Sequence, residues 1–246
     1  MAEKALMILL SFLGCFILAG VLSGILIKLT NVSILDIQSI MPDMKKEILV
    51  IKVQQLISMV CIFILPALTI PKILKQPTIS YLKLDKSPNY RYYIIVILIM
   101  TACIPIMNLI INWNESIVFP EQIESILRAS ENRNQHTMKL ILSNTSLSAL
   151  FLNIFIVAII PAFGEELIFR AVILNFFIKQ IKNIHIAIFV SAFMFSFIHF
   201  QFYGFVPRLL LGMLFGYLVC QTSSLWPAIF AHFFNNFIAI LATLIN

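Results

Sequence analysis

Residues 147–177 read LSALFLNIFIVAIIPAFGEELIFRAVILNFF, an apolar run into which three charges have been placed. No charged residue lies between Lys139 and Glu165, and then Glu165, Glu166 and Arg170 follow closely. After Glu131, those two glutamates are the only acidic residues of the chain. About 20 apolar residues suffice to cross a bilayer as a helix. A charge at that depth costs at least about 2.5–3.5 kcal/mol, so each one needs a partner or a purpose.

The rest of the chain has the same character. Of its 246 residues 61% are hydrophobic and only 11% charged, with a mean hydropathy of +0.99. A soluble domain needs more polar surface than this. The composition predicts an all-α, polytopic transmembrane helical bundle forming a single membrane domain over 1–246. The net charge of +6 is carried between apolar runs, where membrane proteins keep flanking cations. It therefore predicts membrane lipids, and no nucleic acid, as a partner. Cys15, Cys61, Cys103 and Cys220 all fall in apolar runs. They have no paired metal spacing and read as small buried hydrophobes.

Apolar runs predict about seven spans (six to eight). The first covers Ala5 to Ile27 and reads as a retained span, because its apolar stretch is longer than that of a cleaved signal. A polar link follows with Asp36, Pro42, Asp43, Lys45, Lys46 and Glu47. The second span runs from Val53 to Ile70, kinked or ended by Pro66 and Pro71. Lys72 to Arg91 is a basic loop, and Tyr92 to Trp113 is the third span. Asn114 to Asn144 is the longest polar stretch. Ile117, Ile123, Ile126 and Leu127 give it either a surface-lying amphipathic helix or a solvated connector. The first 140 residues carry no motif. The fourth span runs from Leu147 to Phe177, with Pro161 and Gly164 expected to interrupt it before the carboxylates. The fifth is Ile184 to Phe202, followed by a turn at Gly204 and Pro207. The sixth ends near Cys220, with Gly212 and Gly216 four apart for close packing. After a turn at Gln221 to Pro227, the seventh reaches Leu244. With the amino terminus inside, eight Lys/Arg fall on each side, so the count does not orient the protein. The compact clusters after spans two and four favour that orientation.

Residues 147–244 also hold the polar side chains that need explaining. His199 and His232 lie deep in apolar runs, whereas His136 and His185 do not. Spans four and five form a hairpin, which puts Glu165 and His199 both about 20 Å from its shared end. From Ser224, His232 lies about 12 Å and Asn236 about 18 Å deep. Separate spans thus bring these groups to a similar level. Glu166 and Arg170 are four apart and share a face, as are Phe195 and His199, and His232 and Asn236. Glu165 points about 100° away from Glu166 and has no cation of its own. A structural polar network between helices accounts for Glu166 with Arg170. It accounts less well for a further carboxylate facing two histidines and an amide. An apolar site raises a carboxylate's proton affinity and suits it to general-base work. An adjacent histidine can position water, and a second histidine with an asparagine can donate to an oxyanion.

Three motifs carry a family resemblance. Glu165-Glu166-Leu-Ile-Phe-Arg170 resembles the Glu-Glu-x-x-x-Arg motif of the CAAX protease and bacteriocin-processing (CPBP) family of intramembrane proteases. Phe195-Ser-Phe-Ile-His199 resembles its Phe-x-x-x-His motif, and His232-Phe-Phe-Asn-Asn236 its His-x-x-x-Asn/Asp motif. The three occur in the family's order over Pro161 to Asn236. The resemblance implies a helical bundle with a polar cavity inside the membrane and a type II CAAX prenyl endopeptidase-like activity. It implies Glu165 as the base that activates water, His199 as its helper, and His232 with Asn236 as the oxyanion site. Glu166, Arg170 and Phe195 are then supporting residues. The family has been described both as metalloproteases and as metal-free glutamate proteases. No cofactor is expected here, and zinc held by Glu165, His199 and His232 is the alternative. The zinc signature His-Glu-x-x-His is absent.

The expected substrate is a membrane-associated or lipid-modified peptide or protein, and the expected location a bacterial-type cell (inner) membrane. Prenylated substrates do not carry over, because many members come from bacteria that lack CAAX prenylation. Two other functions compete. One is a non-catalytic immunity or scaffold protein that keeps the network for packing. The other is a small transporter, which gains no support from an internal repeat.

Overall fold

The computed structural model describes residues 2–31 and 44–245. Asp36, Pro42 and Asp43 of the expected first link lie outside the described residues. Helix α1 is Ala2–Thr30, α2 is Lys45–Ile73, α3 is Arg91–Glu115 and α4 is Glu121–Leu142. Helix α5 is Leu147–Gln180, α6 is Ile184–Phe197, α7 is Phe205–Thr222 and α8 is Trp226–Ile245. Six of them, all but α4 and α6, are long and apolar enough to cross a membrane. The protein is an all-helical, polytopic integral membrane protein.

Helix α1 lies at the edge. Its apolar side chains remain exposed within the bundle, with Leu9 and Phe16 each at 64%. Such a surface suits hydrocarbon rather than water. Two polar contacts fix its position: Ser11 with Thr69 at 2.8 Å, and Gln54 donating to Ser23 at 2.7 Å. The core lies elsewhere, where α5 meets α2, α7 and α8 around Ala67, Leu167, Phe169, Phe215 and Ala231.

The prolines do not break the long helices. Helix α2 contains a π-helical turn at Met59–Ile64 and α5 one at Ile154–Ile159. Each ends two residues before a proline, Pro66 and Pro161. Proline lacks an N–H and crowds the preceding turn. The wider turn absorbs that defect locally and the helix continues. The interruption expected at Pro161 and Gly164 is therefore absent. Gly164 instead lets the two helices touch, since a Cβ there would lie 3.3 Å from Phe63 Cβ and 3.4 Å from Ile64 Cγ1.

Helix α6 is shorter than the expected fifth span. It stops at Phe197 rather than Phe202. Phe200 takes a left-handed conformation, φ 50°, which no continuing helix allows. Helix α7 packs closely on α6 through the expected glycine pair. A Cβ on Gly212 would lie 3.1 Å from Ala192 Cβ, and one on Gly216 2.9 Å from Ile188 Cγ2.

The polar stretch before α5 forms the amphipathic helix α4. Its apolar contacts come from its C-terminal end, where Ile141 and Leu142 are buried, while Ile123 and Ile126 stay exposed. His136 and His185 are exposed, as expected. The four cysteines are free; Cys61 is buried and the other three are half-buried.

Candidate active site

The short α6 places His199 in the turn just beyond its end. The backbone N–H of His199 reaches Ser196 O at 3.3 Å, so it no longer serves the Phe195 carbonyl. The imidazole takes over that carbonyl, with Nδ1 2.8 Å from Phe195 O. A carbonyl only accepts, so Nδ1 carries the hydrogen and donates. The other nitrogen, Nε2, is left with a lone pair that faces Glu165 Oε2 at 3.9 Å.

His232 is fixed in the same sense from the other side. Its Nδ1 lies 2.9 Å from Glu166 Oε1. Arg170 Nε approaches the second oxygen of Glu166 to 3.0 Å. Facing the Arg170 guanidinium, that carboxylate serves as the acceptor, and His232 Nδ1–H donates to it. His232 Nε2 then also faces Glu165 Oε2, at 3.9 Å. Two imidazole nitrogens of the same kind converge on one carboxylate oxygen. That oxygen is buried and has no hydrogen-bond partner.

The support beneath is dense. Glu166 and Arg170 are 0% and 1% exposed. Residues Leu167–Ile173 form a third π-helical turn, so Arg170 follows Glu166 within a widened turn. Arg170 Nη2 donates to Gly212 O at 3.2 Å, a carbonyl brought near by the close packing of α7. Its guanidinium also lies 4.4 Å from the Phe195 ring centre and 5.4 Å from that of Phe215. A desolvated cation over aromatic faces gains up to about 2 kcal/mol. Phe195 packs against both histidines, with ring centres 5.3 Å from His199 and 5.7 Å from His232. Phe215 stacks on His232 at 5.4 Å.

Residues 147–238 match the family model for type II CAAX prenyl endopeptidase, Rce1-like. The Rce1-like segment covers well under half of the chain but contains all three motifs. It supports peptidase activity at the level of the family. No curated protein and no solved structure gives a significant match.

Glu165, His199, His232 and Asn236 of the Rce1-like segment line one pocket of about 350 Å³. Phe195 lines it too, while Glu166 and Arg170 sit behind the wall. Sequence reasoning missed four polar lining residues: Gln55, Arg208, Asn235 and Thr243. Gln55 comes from α2, outside the Rce1-like segment, and has no motif to mark it. Asn235 holds no motif position, although it adjoins the motif residue Asn236. Its Nδ2 donates to Asn236 Oδ1 at 3.4 Å, which leaves the Asn236 amide hydrogens free.

Zinc would have to bind Glu165 with the two Nε2 atoms. Such ligands sit about 2.0–2.2 Å from the metal, so donors should approach one another within roughly 3.5 Å. Each Nε2 stands 3.9 Å from Glu165 Oε2 here. No group of three His, Cys, Asp or Glu side chains among the described residues is arranged to hold a metal ion. As placed, this donor set does not fit zinc.

Proposed function

We propose that the protein is an intramembrane endopeptidase that hydrolyses a peptide bond of a membrane-associated or lipid-modified peptide through water activated by Glu165. The observation that carries this reading is the unpartnered Glu165 Oε2 between two imidazole nitrogens of fixed tautomer. Separations of 3.9 Å are too long for direct hydrogen bonds but suit a bridging water. Glu165 takes a proton from that water as its oxygen bonds to the scissile carbonyl carbon. The C–N bond then breaks, and the proton passes from Glu165 to the leaving amine.

His199 holds the water through its Nε2 lone pair. His232 Nε2 donates to the oxyanion only when it carries a proton, and its Nδ1 is held at 2.9 Å by Glu166 Oε1, which fixes the ring's aim. Asn236 adds a neutral amide donor. No step requires a metal, and activity is expected to survive exhaustive chelation.

Replacing Glu165 by Gln, nearly isosteric and unable to take the proton, tests the reading. Membranes carrying the Gln variant should leave uncut the peptides that wild-type membranes process, by quantitative proteomics. Retained processing would overturn the mechanism. Retained biological activity without any processing would favour the immunity or scaffold role, for which the buried Glu166–Arg170–His232 network suffices.

A further inference from the structure

Arg208 is the cation that the motifs leave out. It lies in the first turns of α7 and lines the same pocket as Glu165. Its Nη1 donates to Gln201 Oε1 at 2.6 Å and its Nη2 to Gln201 O at 3.0 Å. Both anchors are neutral. Nε is buried and has no hydrogen-bond partner. Glu131 and Glu165 are near enough for their charges to be felt. Among the described residues, however, no carboxylate reaches Arg208 within 4 Å. A half-buried guanidinium that lines a pocket with only neutral groups in contact is well placed to receive an anionic ligand.

Gly204 makes the seat. A Cβ there would lie 2.7 Å from both Nη atoms and 2.8 Å from Cζ. The backbone at Gly204 is ordinary, φ −92°, so any residue could adopt it. The empty space is what the guanidinium uses. Gln201 and Gly204 therefore aim and bed a planar fork in which one N–H on each terminal nitrogen is left unused by Gln201.

We propose that Arg208 is a carboxylate receptor, positioned by Gln201 and Gly204 to take a carboxylate of the peptide being cut. The identity of the ligand rests on the peptidase reading above. A guanidinium fork matches a carboxylate in two parallel hydrogen bonds, and Lys does not reproduce this. The pocket walls around it, with Pro161, Leu211 and Phe215, suit apolar side chains. Because Arg208 and Glu165 share one small pocket, the cut falls within a few residues of the recognised carboxylate. Arg208 also offsets the repulsion that Glu165 would exert on such a substrate. The carboxylate is either a free chain end or an Asp/Glu side chain.

The test uses pooled acetylated apolar decapeptides in three forms: free acids without acidic side chains, C-terminal amides, and amides with one internal Glu. Cleavage is followed with the wild-type protein in lipid nanodiscs. Retention is followed on immobilised Glu165→Gln protein, both by mass spectrometry. One carboxylate-bearing form should be retained and cut about tenfold or more better than the plain amides. Preference for the acids identifies a chain end, and preference for the Glu amides a side chain. Arg208→Ala should erase the preference through KM with kcat little changed. Gly204→Ala, which keeps the charge but displaces the fork, should weaken it; thermal unfolding reports whether each variant is folded. Equal treatment of all three forms, or a preference that survives in Arg208→Ala, overturns the proposal. Selective retention without cleavage would uphold Arg208 and remove the peptidase reading. Cleavage without selectivity would do the reverse.

Discussion

Around Glu166 every charge is answered. One oxygen accepts from His232, the other faces Arg170, and Arg170 in turn rests on the Gly212 carbonyl and two phenylalanine rings. Around Glu165, one residue earlier, Oε2 is buried and unbonded, and the nearest nitrogens stand 3.9 Å off. Both residues are buried on the same helix in the same apolar surroundings, so burial alone does not distinguish them. The difference lies in what neighbouring helices bring. Glu166 is ion-paired by a residue one turn away and hydrogen-bonded by one from α8, although its Oε2 makes no hydrogen bond either, whereas Glu165 Oε2 has only two imidazole nitrogens at 3.9 Å, which leave room for something else. A buried ion-paired network holds helices in place. A buried carboxylate with no close partner, set between oriented side chains, is the kind that chemistry uses.

The comparison breaks if the two carboxylates respond alike. Glu165→Gln should lower kcat by about 10²- to 10⁴-fold, the usual contribution of a general base. The unfolding temperature should hardly move, because no bond to Oε2 is lost. Arg170→Met should do the opposite. Removing one partner of a buried pair strands the other, at about 3–5 kcal/mol. Thermal unfolding in detergent should therefore register Arg170→Met far more strongly than Glu165→Gln. A large stability loss in Glu165→Gln would show that its carboxylate is structural, and the roles of the pair would need reversing.

Much of this was legible because it depends on spacing and depth. Glu166 and Arg170 four apart, and His199 at the level of Glu165, follow from helix rise and hold wherever helices are continuous. The illegible parts are departures from the regular helix. The π-helical turns before Pro66 and Pro161 carry the helices through prolines that, by sequence alone, mark a kink or an end. The early stop of α6 leaves His199 on a turn, where its ring replaces its own N–H at the Phe195 carbonyl. Hydrophobicity does not announce that stop, since the residues on both sides of it are apolar. In the sequence Arg208 is one more cation beside the turn at Gly204 and Pro207, with nothing to set it apart. Only packing reveals that it turns inward over Gly204.

A smaller effect concerns the wall behind the site rather than its charges. Gly216 sits against Ile188, with no space for a methyl group. Gly216→Ala must displace the Ile188 side chain or push α7 from α6, and overpacking of this kind costs about 1–3 kcal/mol. The shift should be felt by Glu166, since Gly212 on the same helix holds Arg170. Unfolding of the variant in detergent, compared with Arg170→Met, should give a lesser loss of the same kind. If Gly216→Ala leaves stability unchanged, α7 is not the rigid backing that the Arg170 contact implies.

The smallest effect belongs to the loop that carries His199. Tyr203 in that loop donates to Glu124 Oε1 of α4 at 3.0 Å, and Arg128 Nε meets the same oxygen at 2.6 Å. The hydrogen bond from Arg128, with that from Tyr203 adding to it, holds the Glu124 carboxyl below the usual carboxylate range. A depressed value means that the tie is at full strength above the ordinary value of about 4.3 and is lost as pH falls through the lower folded value. A second tie does not titrate: Asn114 Nδ2 donates to Phe202 O and Tyr203 O at 2.9 and 2.8 Å. Acidification below about pH 4 should therefore loosen the loop without releasing it. Hydrogen exchange, corrected for its intrinsic pH dependence, should rise a few-fold in residues 198–204 and the first half of α4. Tyr203→Phe should remove only part of that rise, because Arg128 still meets Glu124. Asn114→Ala should raise exchange at every pH, and by more. If acid loosens the loop as much as Asn114→Ala does, the Glu124 tie, rather than Asn114, is what holds His199 beside Glu165.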